Sequence, residues 1–371
     1  MKHYFLIAIC LVITACTTPY SPPEMEETAT FEGLKTDKTN NIIYRTIVVM
    51  VHGMCEKPSN WAREPVENIV KKAGYNGPIV ENDLGYYFPN GGTSSGFPYL
   101  REYTVSDDQS EMKLYAYHYS DWNQIRKSGE LEIQGRAAIV NKKIKDSLVS
   151  GCLSDVTTYA GSKGIKIREY LAKSMDKVQE MNPESDTIKN RIFFISSSLG
   201  SKVLRDVLMC SPHPHQHSDY TKNQSATQSL IAQSSTVFMA SNQIPLLSPL
   251  NNCKPIKVNK STETVQAELY SNSLVAALSD SIGTEQKSFR RINVVAYTDP
   301  SDLLSYPVSN YGNAISNKKN TGDGRVTVHN VKVSNASTWF GIVTNMYKSH
   351  TGYFSNPDII ESMVCGSDGC Q

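Results

Sequence analysis

The amino-acid pattern predicts an α/β fold: a mostly parallel central sheet with helices on both faces. Three observations lead there. The runs Thr46–Val51 (TIVVMV), Ile192–Ile195 (IFFI) and Ile292–Ala296 (INVVA) are β-branched and aromatic without polar alternation, as strands buried on both faces require. Stretches with apolar residues at helical spacing fall between such runs. Small-residue turns follow two of them directly: His52-Gly53 after the first, and Ser196-Ser197-Ser198-Leu199-Gly200 after the second.

Taken in order, the chain of 371 residues opens with a basic Met1-Lys2-His3 and an apolar run from Tyr4 to Thr14. That run is too short to span a bilayer and fits the h-region of a signal peptide, over residues 1–15. It ends Ile13-Thr14-Ala15-Cys16, which resembles the lipobox of bacterial lipoproteins. The resemblance implies cleavage before Cys16 and lipidation of that cysteine; ordinary secretion is the plainer alternative. In that family an aspartate after the cysteine usually marks inner-membrane retention. Thr17 stands there, so the cell envelope, at the outer membrane, is the expected location. Residues 16–45 contain Pro19, Pro22 and Pro23 with many Thr and Glu, and read as a solvated tether.

Residues 46–371 form the domain. After the first strand, Asn60 to Lys72 reads as a helix, with Trp61, Val66, Ile69 and Val70 apolar. Met112 to Tyr119 is a strand, and Ile165 to Met181 a helix with Ile167, Leu171, Met175 and Val178 on one face. Leu199, Val203 and Val207 give the helix after Ser198 its apolar face. Ser235 to Ala240 and Arg325 to Val333 are further strands, Glu263 to Leu278 a helix, and Asn356 to Met363 a short C-terminal helix. The Gly-, Pro- and Tyr-rich stretch of about 75–110, and the stretch 122–155, read as long insertions that could lie over a site as lids.

Composition narrows the function. A net charge of +1, with no basic run, points away from nucleic acid. Apart from Cys10 and Cys16, the cysteines are Cys55, Cys152, Cys210, Cys253, Cys365 and Cys370. An even number in an exported chain suggests disulfides; six cysteines allow 15 connectivities, among which sequence does not choose, and Cys365–Cys370, Cys210–Cys253 and Cys55–Cys152 are the pairs guessed. The cluster His213, His215, His217 could hold a metal, but its proline-rich setting reads better as an exposed loop. No cofactor or metal is expected.

The chemistry-bearing residues sit at strand ends. A serine at the apex of a sharp strand-to-helix turn, flanked by small residues, is the setting of a nucleophile elbow. Ser198 holds that place, with Ser196 where glycine is usual; the plainer reading is a serine capping the helix. The His52-Gly53-Met54 turn can aim backbone N–H groups at an oxyanion, which assigns the donors to Met54 and Leu199; His52 itself is a turn residue and not the base. After the Ile292 strand come Asp299 and Asp302. Asp302 is chosen as the acid, because Asp299 precedes a proline and suits a turn. His350, beyond the last strand, is the candidate base, ahead of the strand residues His329 and His118.

The order Ser198, Asp302, His350, each after a strand and with His52-Gly53 upstream, resembles the α/β-hydrolase superfamily from about Thr46 to Ile360. The resemblance implies an α/β-hydrolase fold and a serine hydrolase, an esterase or lipase type, cleaving a small-molecule or lipid ester. The membrane would be reached through the N-terminal lipid. An acyltransferase or peptidase with the same three groups, or a non-catalytic binding lipoprotein on this scaffold, remain alternatives.

Overall fold

Strand β3 (Ile43–Val51) sits near the middle of the sheet, and its neighbours explain where a site can form. A computed structural model describes residues 17–18, 22–25, 30–35, 43–53, 60–85, 98–107, 110–119, 152, 154–210, 220–247, 292–308, 326–339 and 343–370. The remaining strands are β1 (Thr17–Thr18), β2 (Glu24–Met25), β4 (Val80–Asp83), β5 (Tyr99–Ser106), β6 (Ser110–His118), β7 (Ile188–Ser197), β8 (Ser234–Ala240), β9 (Ile292–Thr298), β10 (Val326–Lys332), β11 (Thr338–Trp339) and β12 (Val343–Thr344). The helices are α1 (Arg63–Ala73), α2 (Ser154–Ala160), α3 (Ser162–Met181), α4 (Leu199–Met209), α5 (Tyr220–Ala232), α6 (Ile244–Leu247), α7 (Met346–Thr351) and α8 (Pro357–Cys365). A 3-10 turn, Gly352–Ser355, joins the last two.

The nine-stranded sheet runs β2-β10-β9-β8-β7-β3-β6-β5-β4. The six strands from β10 to β6 are mutually parallel, and β2, β5 and β4 pair antiparallel at the two edges. From β3 the chain goes first to β6 on one side, then back to β7 on the other. Order reverses there, and in open parallel sheets the crevice at the carboxyl end of such a switch point is where ligands bind.

Successive strand residues face opposite ways, so the uniform apolar runs build two cores. Ile47, Val49, Phe194, Val237 and Val294 pack on one side against Leu171, Met175, Leu199 and Val203 of α3 and α4. Val48, Met50, Phe193, Phe238 and Val295 pack on the other against Val66 and Ile69 of α1 and Ile359 and Met363 of α8. Helices thus cover both faces, as the mixed α/β reading requires. The helix expected over Glu263 to Leu278 lies outside the described residues, as does nearly all of 122–155.

Two sequence expectations change. Residues 75–110, read as a surface loop and possible lid, hold the two strands β4 and β5. The buried residues of β5 include the adjacent pair Tyr99-Leu100 together with Tyr103 and Val105, so neither a strand nor a helix period is visible. Arg101 ties the pair together, meeting Glu81 at 3.0 Å and Asp83 at 3.4 Å. Within the stretch read as a tether, Phe31 and Leu34 are buried against the second core. Leu34 N–H donates to Met363 O (3.0 Å), Lys35 N–H to Val364 O (2.8 Å) and Thr236 Oγ1 to Glu32 O (2.9 Å), so this strap crosses the sheet and locks α8. Cys365 is bonded to Cys370 as expected. Cys152 and Cys210 are each in a disulfide; their expected partners, Cys55 and Cys253, lie outside the described residues.

Candidate active site

Ser198 stands between β7 and α4 with φ +53° and ψ −125°, a conformation that costs an L-residue energy and that the surroundings must enforce. Its N–H donates to Ala240 O at the end of β8 (2.9 Å). Close backbone approach explains the small neighbours. A Cβ on Gly200 would strike Val51 O and His52 O, and one on Gly53 would strike Ser198 Cβ. Ser196, where glycine is usual in such turns, is fully buried. Its Oγ lies 3.0 Å from Ser201 Oγ, so the hydroxyl is paired inside the turn. Helix α4 is pinned below the turn. Asp206 pairs with Lys202, accepts from Arg205 Nη1 (2.8 Å) and accepts from Tyr159 Oη (2.8 Å). Burial lowers the Lys202 pKa, and Asp206 opposes that shift.

Ser198 Oγ lies 3.2 Å from His350 Nε2. His350 belongs to α7, whose Asn345 cap accepts Lys348 N–H (3.0 Å). The other ring nitrogen, Nδ1, is 2.9 Å from Asp302 Oδ1 and 3.0 Å from Oδ2. Asp302 also accepts Leu304 N–H (3.0 Å), Ser241 Oγ–H (2.7 Å) and Tyr353 Oη–H (3.1 Å). Burial works against its charge. The donors led by His350 outweigh that cost and hold the carboxyl below the usual carboxylate range. A carboxylate can only accept, so in the neutral ring Nδ1 carries the proton and Nε2 faces Ser198 without one.

Asp299, three residues away, does different work. Its oxygens accept Ser301 N–H and Asn335 N–H, both at 2.8 Å. Burial raises its pKa despite those bonds. It folds its own loop and ties that loop to the segment leading to α7, while Asp302 alone of the two meets His350.

His52 lines the site without joining this chain of bonds. Tyr119 N–H donates to its Nε2 (3.0 Å), so Nδ1 carries the proton and donates to Gly53 O (2.6 Å). The ring stacks on Tyr119 at 4.2 Å and meets Trp61 edge-on at 5.3 Å. It is a turn residue, fixing the Gly53 carbonyl. Leu199 N–H heads helix α4, where the first amides have no intrahelical acceptor. Met54, the other expected donor, lies outside the described residues, as do Cys16 and the cluster His213, His215, His217. His329 sits within β10, against Phe31 at 5.2 Å, and burial lowers its pKa.

A cleft of about 100 Å³ opens beside Ser198 and His350, walled by Trp61, Pro65, Tyr353 and Phe354, with Glu64 at its lining. Among the described residues no group of His, Cys, Asp and Glu could hold a metal ion. Chemically, a hydroxyl beside a bare imidazole nitrogen that is backed by a carboxylate can attack an electrophilic carbon. Sequence reading brought Ser198, Asp302 and His350 to one place and missed Ser241 and Tyr353. The only sign of Ser241 was its place directly after a buried strand, the same place Ser198 holds. No protein-family model matches the chain, and no curated protein or solved structure matches it.

Proposed function

We propose that this protein is a serine hydrolase of the α/β-hydrolase kind, cleaving a carboxylic ester or related acyl bond. The reading rests on one observation: Ser198 Oγ, His350 and Asp302 form a continuous hydrogen-bonded chain beside an open cleft. Ser198 Oγ attacks the acyl carbon while His350 Nε2 takes its proton. The carbonyl oxygen becomes an oxyanion held by the Leu199 and Met54 amides, each worth about 3 kcal/mol in the transition state. The bond to the leaving group then breaks, and Nε2–H delivers its proton to that group. A water molecule attacks the acyl-enzyme with His350 again as base, releasing the acid and restoring Ser198. Asp302 stays ionised throughout, holding the ring and stabilising its charged form.

On the lipobox resemblance, Cys16 carries the lipid and the domain works in the bacterial envelope, at the outer membrane. Transfer of the acyl group to another acceptor uses the same residues and differs only in what replaces water. Steady-state hydrolysis of p-nitrophenyl acetate tests the reading. Ser198→Ala should lose on the order of 10⁶ in kcat, as removal of a serine nucleophile does elsewhere. Full activity in that variant rejects it.

A further inference from the structure

Among the described non-glycine residues, only Ser198 and Ser241 have positive φ. The reaction accounts for Ser198. Ser241, at φ +54° directly after β8, is a strained residue that the three-group mechanism does not call for. Glycine would occupy that backbone without strain, yet a serine is held there.

Its surroundings enforce the conformation. Ser241 N–H donates to Tyr297 O (3.2 Å). The next residue, Asn242, is stitched to the loop that carries Asp302: Tyr306 N–H donates to Asn242 O (2.9 Å) and Asn242 Nδ2 to Tyr306 O (3.1 Å). The result aims one hydroxyl at two partners. Ser241 Oγ is 2.7 Å from Asp302 Oδ2 and 2.9 Å from His350 Nδ1. The single hydroxyl proton goes to the carboxylate, which can only accept, and the oxygen lone pair then faces the Nδ1 proton.

We propose that Ser241 is a positioning residue for the acid–base pair, an inference that rests on the hydrolase reading. Its hydroxyl fixes Asp302 side-on to the ring and gives the Nδ1 proton a second acceptor. Two groups on different strand ends thereby set the tautomer that leaves Nε2 bare, and both stabilise the ring when it becomes charged. The strained backbone is what brings the hydroxyl between them.

Two variants separate hydroxyl from backbone. Ser241→Gly removes the hydroxyl and relieves the strain; Ser241→Ala removes the hydroxyl and keeps it. Both should lose about 10- to 100-fold in kcat, the worth of one hydrogen bond to a charged group, with KM unchanged. In both, the far-downfield proton resonance of His350 Nδ1–H should shift or be lost to exchange, while Ser241→Gly melts no lower than wild type. A Ser241→Gly protein with wild-type kcat and an unmoved resonance overturns the proposal. The resonance needs no substrate. If the wild type hydrolyses nothing, the hydrolase reading fails by itself, and the resonance still decides whether Ser241 holds the pair.

Discussion

The two ends of the parallel strands are built differently. At the carboxyl ends backbones press together, two serines are strained, and buried polar groups converge: His52, Ser198, Ser241 and Asp302 are all almost fully buried. Toward the amino ends the Phe31–Lys35 strap lies across the sheet, satisfied by Arg191, Thr236 and the carbonyls of α8. Its contribution is apolar burial and paired backbone, with no strained residue. The difference teaches where each kind of damage should appear: changes at the carboxyl ends should cost turnover, and changes in the strap should cost stability.

The largest expected effect after loss of Ser198 falls on Asp302. Asp302→Asn should lower kcat by about 10⁴-fold, because an amide can present its N–H to Nδ1 and favour the wrong tautomer. Asp299→Asn, three residues away, tests how local the division is; its turnover should stay far above that of Asp302→Asn, since Asp299 does not meet His350. The Asp302 charge also bears on stability. Its folded pKa is lower than the unfolded value of about 3.9, so its stabilisation is complete above that pH and is lost as pH falls through the folded value. Urea midpoints at neutral and acid pH should therefore differ more for wild type than for Asp302→Asn.

In the strap, Leu34→Ala deletes a fully buried side chain and should cost about 2–5 kcal/mol of unfolding free energy. The kcat of the folded fraction should be unchanged. A Leu34→Ala protein of normal stability but impaired turnover would break the comparison.

What could be read from the chain follows the same division. Buried parallel strands announce themselves as uniform apolar runs, and the turn residues after them are consecutive in sequence. Ser198, Asp302 and His350 were visible for that reason. Ser241 was not, because one serine after a strand looks like any turn; its meaning lies in distances to residues 61 and 109 positions away. Strand β5 was hidden because it is buried on both faces, paired between β6 and the edge strand β4, with Arg101 and Glu102 interrupting the apolar residues. Leu34 was hidden because one apolar residue in a polar stretch has no period. Helix α5 carries a polar sequence, and its Gln224 satisfies the carbonyls at the end of α4, with Nε2 donating to Val207 O (2.7 Å) and Cys210 O (2.8 Å).

The central claim is that Ser198 is a nucleophile activated by His350. A fluorophosphonate probe reacts covalently with such a serine, and peptide mapping locates it. The account predicts stoichiometric labelling on the peptide containing Ser198, abolished in Ser198→Ala and strongly slowed in His350→Ala. Absence of labelling in folded wild-type protein, or a label on another serine that persists in Ser198→Ala, would contradict it.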